Sequence, residues 1–352
     1  MQMHSPFQIL MAAVGSAAVL VCSSGCSAEY EGVQDVPLRA TDFVEVVGQD
    51  YFMEHVWTMQ KVGDLLYLSG AGYPYVFALD NDLEIIRTIG DGGKGPGEFS
   101  EWPNSFFVTG DRVYGYDAGP NRVQIFSLDG EYLYSFRLDP KHKIWSHGLS
   151  VDKLGNVYVA TIFPQDPHSV AKLDSSGTLS KTFGELLETS YSEMLNRQLN
   201  ARLITLVGSE YLLTIGHSVP LVEKFSLDGE LLQSSDLSDT PYFSEKIQES
   251  TDYYSSNLAS GPVATISLVR SIATTNTRMY IMPIEARPDN GSRVNRLLEL
   301  DLESLSLLRT YSLLDHLGEP LRWVTALEFV SEKELILFHH TDGIFYRYAL
   351  PG

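Results

Sequence analysis

The sequence predicts an all-β chain folded as a six-bladed β-propeller, and three observations predict it. Three tracts, Arg122–Leu133, Val170–Leu179 and Val222–Leu232, share one pattern: an apolar-rich alternating run, then Asp-Gly or Ser-Gly, then a second such run. Alternation sends successive side chains to opposite faces of a strand, and the Asp-Gly pair supplies the positive φ of a tight hairpin. The tracts recur about every 50 residues, the spacing of propeller blades. Six short apolar segments rich in β-formers accompany them: Leu65–Leu68, Arg112–Tyr116, Asn156–Ala160, Glu210–Thr214, Arg278–Met282 and Glu334–Phe338. Each is expected to be the second strand of a blade. Finally, the chain ends three strands into the sixth blade, while Asp42–Val47 has no partner in the first. Pairing that N-terminal segment as the missing outer strand closes the ring and removes two exposed edges.

Taken in order, residues 1–26 read as a lipoprotein signal peptide, 27–40 as a tether and 41–352 as the propeller. Met11–Val21 is small and apolar, too short for an ordinary membrane span and suited to a secretory core segment. Ser24-Gly25-Cys26 then resembles a bacterial lipobox, which implies lipidation at Cys26 and a place in the cell envelope. Cys22 and Cys26 are the only cysteines, so the folded body must hold together without disulfides. Two insertions interrupt the repeat. Glu185–Leu199 has apolar residues at helical spacing and predicts a short helix, whereas Ser238–Pro262 shows no clear period and is expected to be an irregular, mobile cap.

The 352 residues carry 45 acidic against 25 basic side chains, a net charge of −20. That balance opposes nucleic-acid binding, which needs a basic face, and fits solubility or the steering of cations.

Gly90–Phe99, then Trp102-Pro103, then Asp117–Phe126, resemble NHL-type propellers, with their Gly-Pro-Gly-Glu-Phe linker and Asp-x-x-x-Asn-Arg-Val third strand. More narrowly, the leader and six blades resemble propeller lipoproteins of Bacteroidetes-like bacteria. The resemblance implies fold and envelope location, and no chemistry. Lys94 is followed by Gly rather than Ser or Thr, so the glycine run is an inter-blade turn and not a phosphate loop. Asp117, Asn121 and Arg122 are expected to satisfy backbone groups.

The channel mouth is the better place for a site. Residues just before each inner strand, and in the turns after each second strand, should share one face. They include His55, Trp57, Trp102, Asn104, His147, Asp166, His168, Arg202, His217, Arg270, Glu285, Arg322, Trp323, His339, His340 and Asp342. His147, Arg202, Arg322, Trp323, Trp102 and Asn104 are the candidate contacts for a small ligand, a glycan or a protein partner. Arginine suits a carboxylate and tryptophan offers a flat apolar platform. The chain is read as a monomeric binding module without a cofactor. The alternative is a lactonase-like hydrolase or lyase using calcium or zinc. His147, His168, His217 and His340 are its metal candidates, with Asn104 and Asp152 available to calcium. His339 and His340 cannot both point inward, because neighbours on a strand alternate.

Overall fold

The computed structural model describes residues 33–45, 55–161, 168–189, 191–257, 265–286 and 292–351. The leader, with Met11–Val21 and Cys26, lies outside them, as does Asp166. Strands β1 (Gln34–Arg39) and β2 (Asp42–Glu45) come first. Blade one holds β3 (Val56–Val62), β4 (Leu65–Gly70), β5 (Val76–Leu79) and β6 (Ile85–Ile89). A short parallel pair follows, β7 (Asp91–Gly92) and β8 (Glu98–Phe99). Blade two holds β9 (Phe106–Val108), β10 (Arg112–Asp117), β11 (Arg122–Ser127) and β12 (Tyr132–Arg137). Blade three holds β13 (Ile144–Val151), β14 (Val157–Thr161), β15 (His168–Leu173) and β16 (Leu179–Glu185). Helix α1 (Glu193–Leu199) leads to blade four, with β17 (Arg202–Val207), β18 (Tyr211–Gly216), β19 (Leu221–Ser226) and β20 (Leu231–Asp236). Helix α2 (Pro241–Asn257) then precedes blade five, with β21 (Val269–Thr274), β22 (Arg278–Pro283), the small hairpin β23 (Glu285–Ala286) and β24 (Ser292–Arg293), β25 (Arg296–Asp301) and β26 (Leu307–Leu314). Blade six holds β27 (Val324–Ser331), β28 (Glu334–His339) and β29 (Ile344–Ala349).

All six apolar segments are second strands, as expected. The ring closes as the sequence requires: β2 pairs antiparallel with β29, Asp42 opposite Arg347 and Glu45 opposite Ile344. The chain is ordered earlier than the tether reading allowed. Strand β1, inside the segment 27–40, runs parallel to β26 and makes blade five five-stranded. Its mostly exposed, polar sequence hid this role: Asp35 receives Arg296 at 2.7 Å and the hydroxyl of Ser312, while only Val36 and Leu38 of the strand turn into the core.

The core is six wedges, one between each pair of neighbouring blades. The hairpins after the third strands form, with one change from expectation. In the turn Ser127–Gly130 the glycine N–H donates to the Ser127 carbonyl, so glycine closes the turn and only it adopts positive φ, 91° at Gly130, 85° at Gly177 and 77° at Gly229. The preceding Asp or Ser stays in the ordinary region, and a bulge follows each turn in the outer strand, at Leu133 of β12, Ser180 of β16 and Leu232 of β20. These glycines also face the outer strand of the preceding blade. A Cβ at Gly177 would overlap the Phe136 ring, and one at Gly229 would meet Phe183 at 2.5 Å, whereas at Gly130 the nearest atom is the Thr88 carbonyl at 3.4 Å.

The glycine-rich linker is an inter-blade turn held by the third strand of blade two. Arg122 donates to the carbonyls of Gly95 and Glu98 at 2.7 Å each and pairs with Asp117, whose other oxygen accepts from Ser100. Asn121, at φ 53°, accepts from the Tyr116 hydroxyl. The set is structural, as its spacing suggested.

Helix α1 forms where predicted, with Ser192 capping the Leu195 N–H. Residues 241–257 correct the expectation of an irregular cap: they are a 17-residue helix. Its buried face, Phe243, Lys246, Ile247, Ser250, Thr251 and Tyr254, does follow helical spacing. Serine and threonine occupy the middle of that face and return their hydroxyls to the carbonyls of Lys246 and Ile247, so a packed stripe looks polar in sequence. Tyr254 packs with Leu195 and Leu199, which joins the two insertions. Among the described residues no helix is long and apolar enough to cross a membrane.

Two predictions follow from this architecture. Gly130→Ala should cost about 1–2 kcal/mol, the price of a left-handed conformation for alanine, and Gly177→Ala about 1–3 kcal/mol more, from overpacking against Phe136; urea unfolding of the two variants measures the difference. A chain beginning at residue 46 lacks β1 and β2 and should lose cooperative thermal unfolding, and a fully stable truncation would show that closure is dispensable.

Candidate functional site

Four of the inner strands begin with a β-bulge. The register shifts across Trp57 in β3, across Arg270 in β21, across Thr325 in β27, and across residues 145–148 in β13. A bulge leaves the extra residue out of the ladder and re-aims its side chain. Here Trp57, Arg270 and His147 meet at one end of the ring axis. The Arg270 guanidinium lies 4.5 Å above the Trp57 ring. Trp57 stacks with His55 at 5.7 Å, and His55 with His340 at 3.8 Å. His147, held at φ 56°, places Nε2 3.4 Å from Ser271 Oγ and hydrogen-bonds the Trp57 backbone. His217, just past β18, sits 3.4 Å from Ser267 Oγ. Five blades thus contribute to one cluster.

Its electrostatics are set by desolvation. Burial first, then the Arg270 charge, holds the imidazoles of His147 and His217 down at about 4, so both are neutral at pH 7. Burial lowers Arg270 only to about 10, and it stays a cation. Arg270 Nε and Trp57 Nε1 are buried without a hydrogen-bond partner among the described residues.

His147 also marks one end of an axial channel of about 390 Å³ that runs to Gly208, Asn276 and Glu332 at the other. Thr58, Gln60, Ser150 and Glu328 line it. Two of these staple neighbouring inner strands. Gln60 both donates to the Val108 carbonyl at 2.9 Å and accepts its N–H at 2.7 Å. Glu328 accepts the Phe329 N–H at 2.7 Å and a backbone N–H of Lys61. Burial pushes the Glu328 carboxyl up to about 8.

The structure brings together His147, His217 and His340 of the predicted residues, with His55, Trp57 and Arg270. Other candidates are elsewhere. Arg202 is fully buried in blade four, its Nη1 donating to the Asn200 carbonyl and its Nε 3.5 Å from Glu223, so no ligand reaches it. His168 faces Thr182 Oγ1 at 3.1 Å on a third strand. Glu285 pairs with Arg293 and Arg296. Asp152 accepts from Leu154, Asn156 and Tyr158 in the turn after β13, at the end of the blade opposite Asn104. The two therefore do not converge on a calcium ion, and among the described residues no three His, Cys, Asp or Glu side chains group as metal ligands. His339 turns to Asp342 at 3.0 Å while His340 turns to His55, the alternation expected of neighbours. Trp102 and Arg322 are exposed, and Asn104 and Trp323 are half-buried.

The sequence placed Arg270 on this face without marking it as a ligand contact, and it did not single out Gln60 or Glu328. Arg270 is set apart by a bulge and by the lack of a carboxylate partner, neither of which leaves a local pattern. Gln60 and Glu328 left no clear signal, because their inner strands also carry Thr58 and Lys61, and Thr325 and Ser331.

No family model matches the chain, and no curated protein does. Among solved structures it is similar to a candidate exported protein of Bacteroides fragilis, with TM-score 0.57 and 13% identity over 84% of this chain and 82% of that one. It is also similar to a member of the duf4221 family from Bacteroides vulgatus (TM-score 0.54, 9% identity, 90% and 98% covered). A third is virginiamycin B lyase from Staphylococcus aureus (TM-score 0.50, 11% identity, 88% of each chain). At these identities the likeness bears on the fold alone: the chain is a six-bladed β-propeller.

The Glu328 environment predicts a pH dependence. The carboxyl ionises at about 4.5 in the unfolded chain and about 8 in the folded one, so its contribution to stability is complete below pH 4.5 and is lost as pH rises through 8. Glu328→Gln keeps the acceptor and removes the titration. Urea unfolding should therefore show the variant gaining on wild type between pH 5 and pH 8.

Proposed function

We propose that this propeller is an exported, lipid-anchored binding module that takes a small carboxylated or sugar-like ligand at the axial mouth. The observation that carries the reading is the convergence of side chains from five blades on one end of the axis. Propellers place ligands where loops of several blades meet, because only there does one small molecule touch many repeats. His147 belongs to the floor of that site. Trp102, Arg322 and Trp323 are proposed as rim contacts, with Asn104 beside them and its carbonyl oxygen lacking a partner among the described residues.

The leader supports export and anchoring. An apolar run at Met11–Val21 followed by Ser24-Gly25-Cys26 resembles a lipoprotein leader, and the linker and third strand of blade two support kinship with NHL-type propeller lipoproteins. Acylation there would fix a soluble, acidic domain to the envelope, and the domain is read as working as a monomer. The metal-dependent hydrolase or lyase reading has no ligand set among the described residues to support it.

The test is a thermal-shift panel of neutral oligosaccharides, uronic acids and short carboxylates. A ligand class should raise Tm by about 2 °C or more. The combined Trp102→Ala and Arg322→Ala variant should match wild type in Tm alone and lose most of that shift. A panel without effect on wild type, or an undiminished shift in the variant, would count against the mouth as the binding face.

A further inference from the structure

We infer that Arg270 is an anion receptor whose guanidinium, lying flat on Trp57, takes the carboxylate of a singly charged ligand. The inference deepens the binding reading above and rests on it.

The first argument is the missing partner. The chain has 45 acidic side chains, and its other enclosed arginines use them: Arg122 pairs with Asp117, Arg202 with Glu223, and Arg296 with Asp35 and Glu285. Arg270 Nε has no hydrogen-bond partner among the described residues, and the guanidinium lies on the Trp57 ring with its charge acting on the imidazoles of His147 and His217 rather than on a carboxylate. A cation withdrawn from water without an acceptor is costly, and folded proteins normally pair it. An acceptor supplied from outside completes this one.

The second is shape. Trp57 covers one face of the guanidinium and steadies it by cation–π attraction, leaving the edge donors for a partner in the same plane. A planar carboxylate meets that fork with two parallel hydrogen bonds. Charge narrows the class further. His147 and His217 are neutral, so beside them Arg270 supplies a single positive charge, which matches one carboxylate. The hydroxyls of Ser267 and Ser271, beside the two imidazoles, can donate to the second side of such a ligand.

The third is backbone. Arg270 and Trp57 are both bulged residues, and His147 has positive φ without being glycine. Such deformation is uphill and gathers at functional sites. Here three separate deformations serve one cluster.

The experiment compares acetate with acetamide, and benzoate with benzamide, on the full chain at constant ionic strength. Isothermal titration and thermal shift give half-saturating concentrations. Each carboxylate should bind roughly tenfold or more tightly than its amide, since the charge-assisted pair is absent from the amide. Arg270→Gln should abolish the difference, and Arg270→Lys should keep the preference with weaker binding, because lysine lacks the fork. A second measurement needs no variant: imidazole NMR of wild type should show acetate raising the pH at which His147 and His217 protonate, with acetamide having no effect. The inference is overturned if acetate and acetamide act alike on wild type, or if Arg270→Gln responds to acetate as wild type does. A neutral sugar that binds through Trp102 and Arg322, with no acetate effect, would keep the mouth as a ligand site and remove its anion role. Silence in both experiments would remove both.

Discussion

Ring closure is the interaction on which the rest of this molecule depends. Strand β2 completes blade six by pairing with β29, so the two ends of a long chain become neighbours in one sheet. Side chains reinforce the seam: Phe43 stacks on His316 at 4.2 Å, and the Tyr348 hydroxyl donates to the Leu314 carbonyl at 2.9 Å. Without this strand, blade six would present a bare edge, and the wedge between blades one and six would lose the cover that Val44 provides. The wedges from blade one round to blade five are built from consecutive segments. The two that flank blade six join segments hundreds of residues apart in sequence, Leu38 and Ala40 entering one and Val44 the other, and make the axis a fixed line rather than the middle of an open arc.

A fixed axis permits a site built from strand beginnings. The inner strands surround the channel, and Gln60 and Glu328 bridge neighbouring ones with side-chain hydrogen bonds to backbone. Those bridges hold the bulges in place, and the bulges turn Trp57, Arg270 and His147 toward one another. The arrangement carries several unfavourable terms: a half-buried cation, orphaned donors and a strained backbone at His147. None of them helps the ring to fold. At this end of the axis the three coincide in one cluster of side chains from five blades, which marks a functional region within its scaffold.

Parts of the site were legible in the chain and parts were not. That His55, Trp57, His147, His217 and Arg270 share a face follows from hairpin counting, because strand direction alternates and strand starts must gather at one end. Hairpin counting does not say which way a side chain points. Arg202 begins an inner strand as Arg270 does, yet it lies in a ladder without a bulge and turns into blade four toward Glu223. Residues alike in type and position were thus separated by one register shift. Helix α2 shows the same kind of limit. Its buried stripe had the right period, but serine and threonine satisfied by i−4 carbonyls carry no apolar signal.

By itself, the sequence determined the repeat, the number of blades, the turns and the closing strand, because these rest on local rules: alternation, glycine where φ must be positive, and the need to cover an edge. Tertiary structure alone decided that β1 joins blade five, that the polar insertion is a helix, and that Arg270 meets Trp57 while Arg202 meets Glu223. Each of these depends on contacts between segments far apart in the chain and on backbone irregularities held by their surroundings. No local pattern encodes a contact whose two sides are specified hundreds of residues apart.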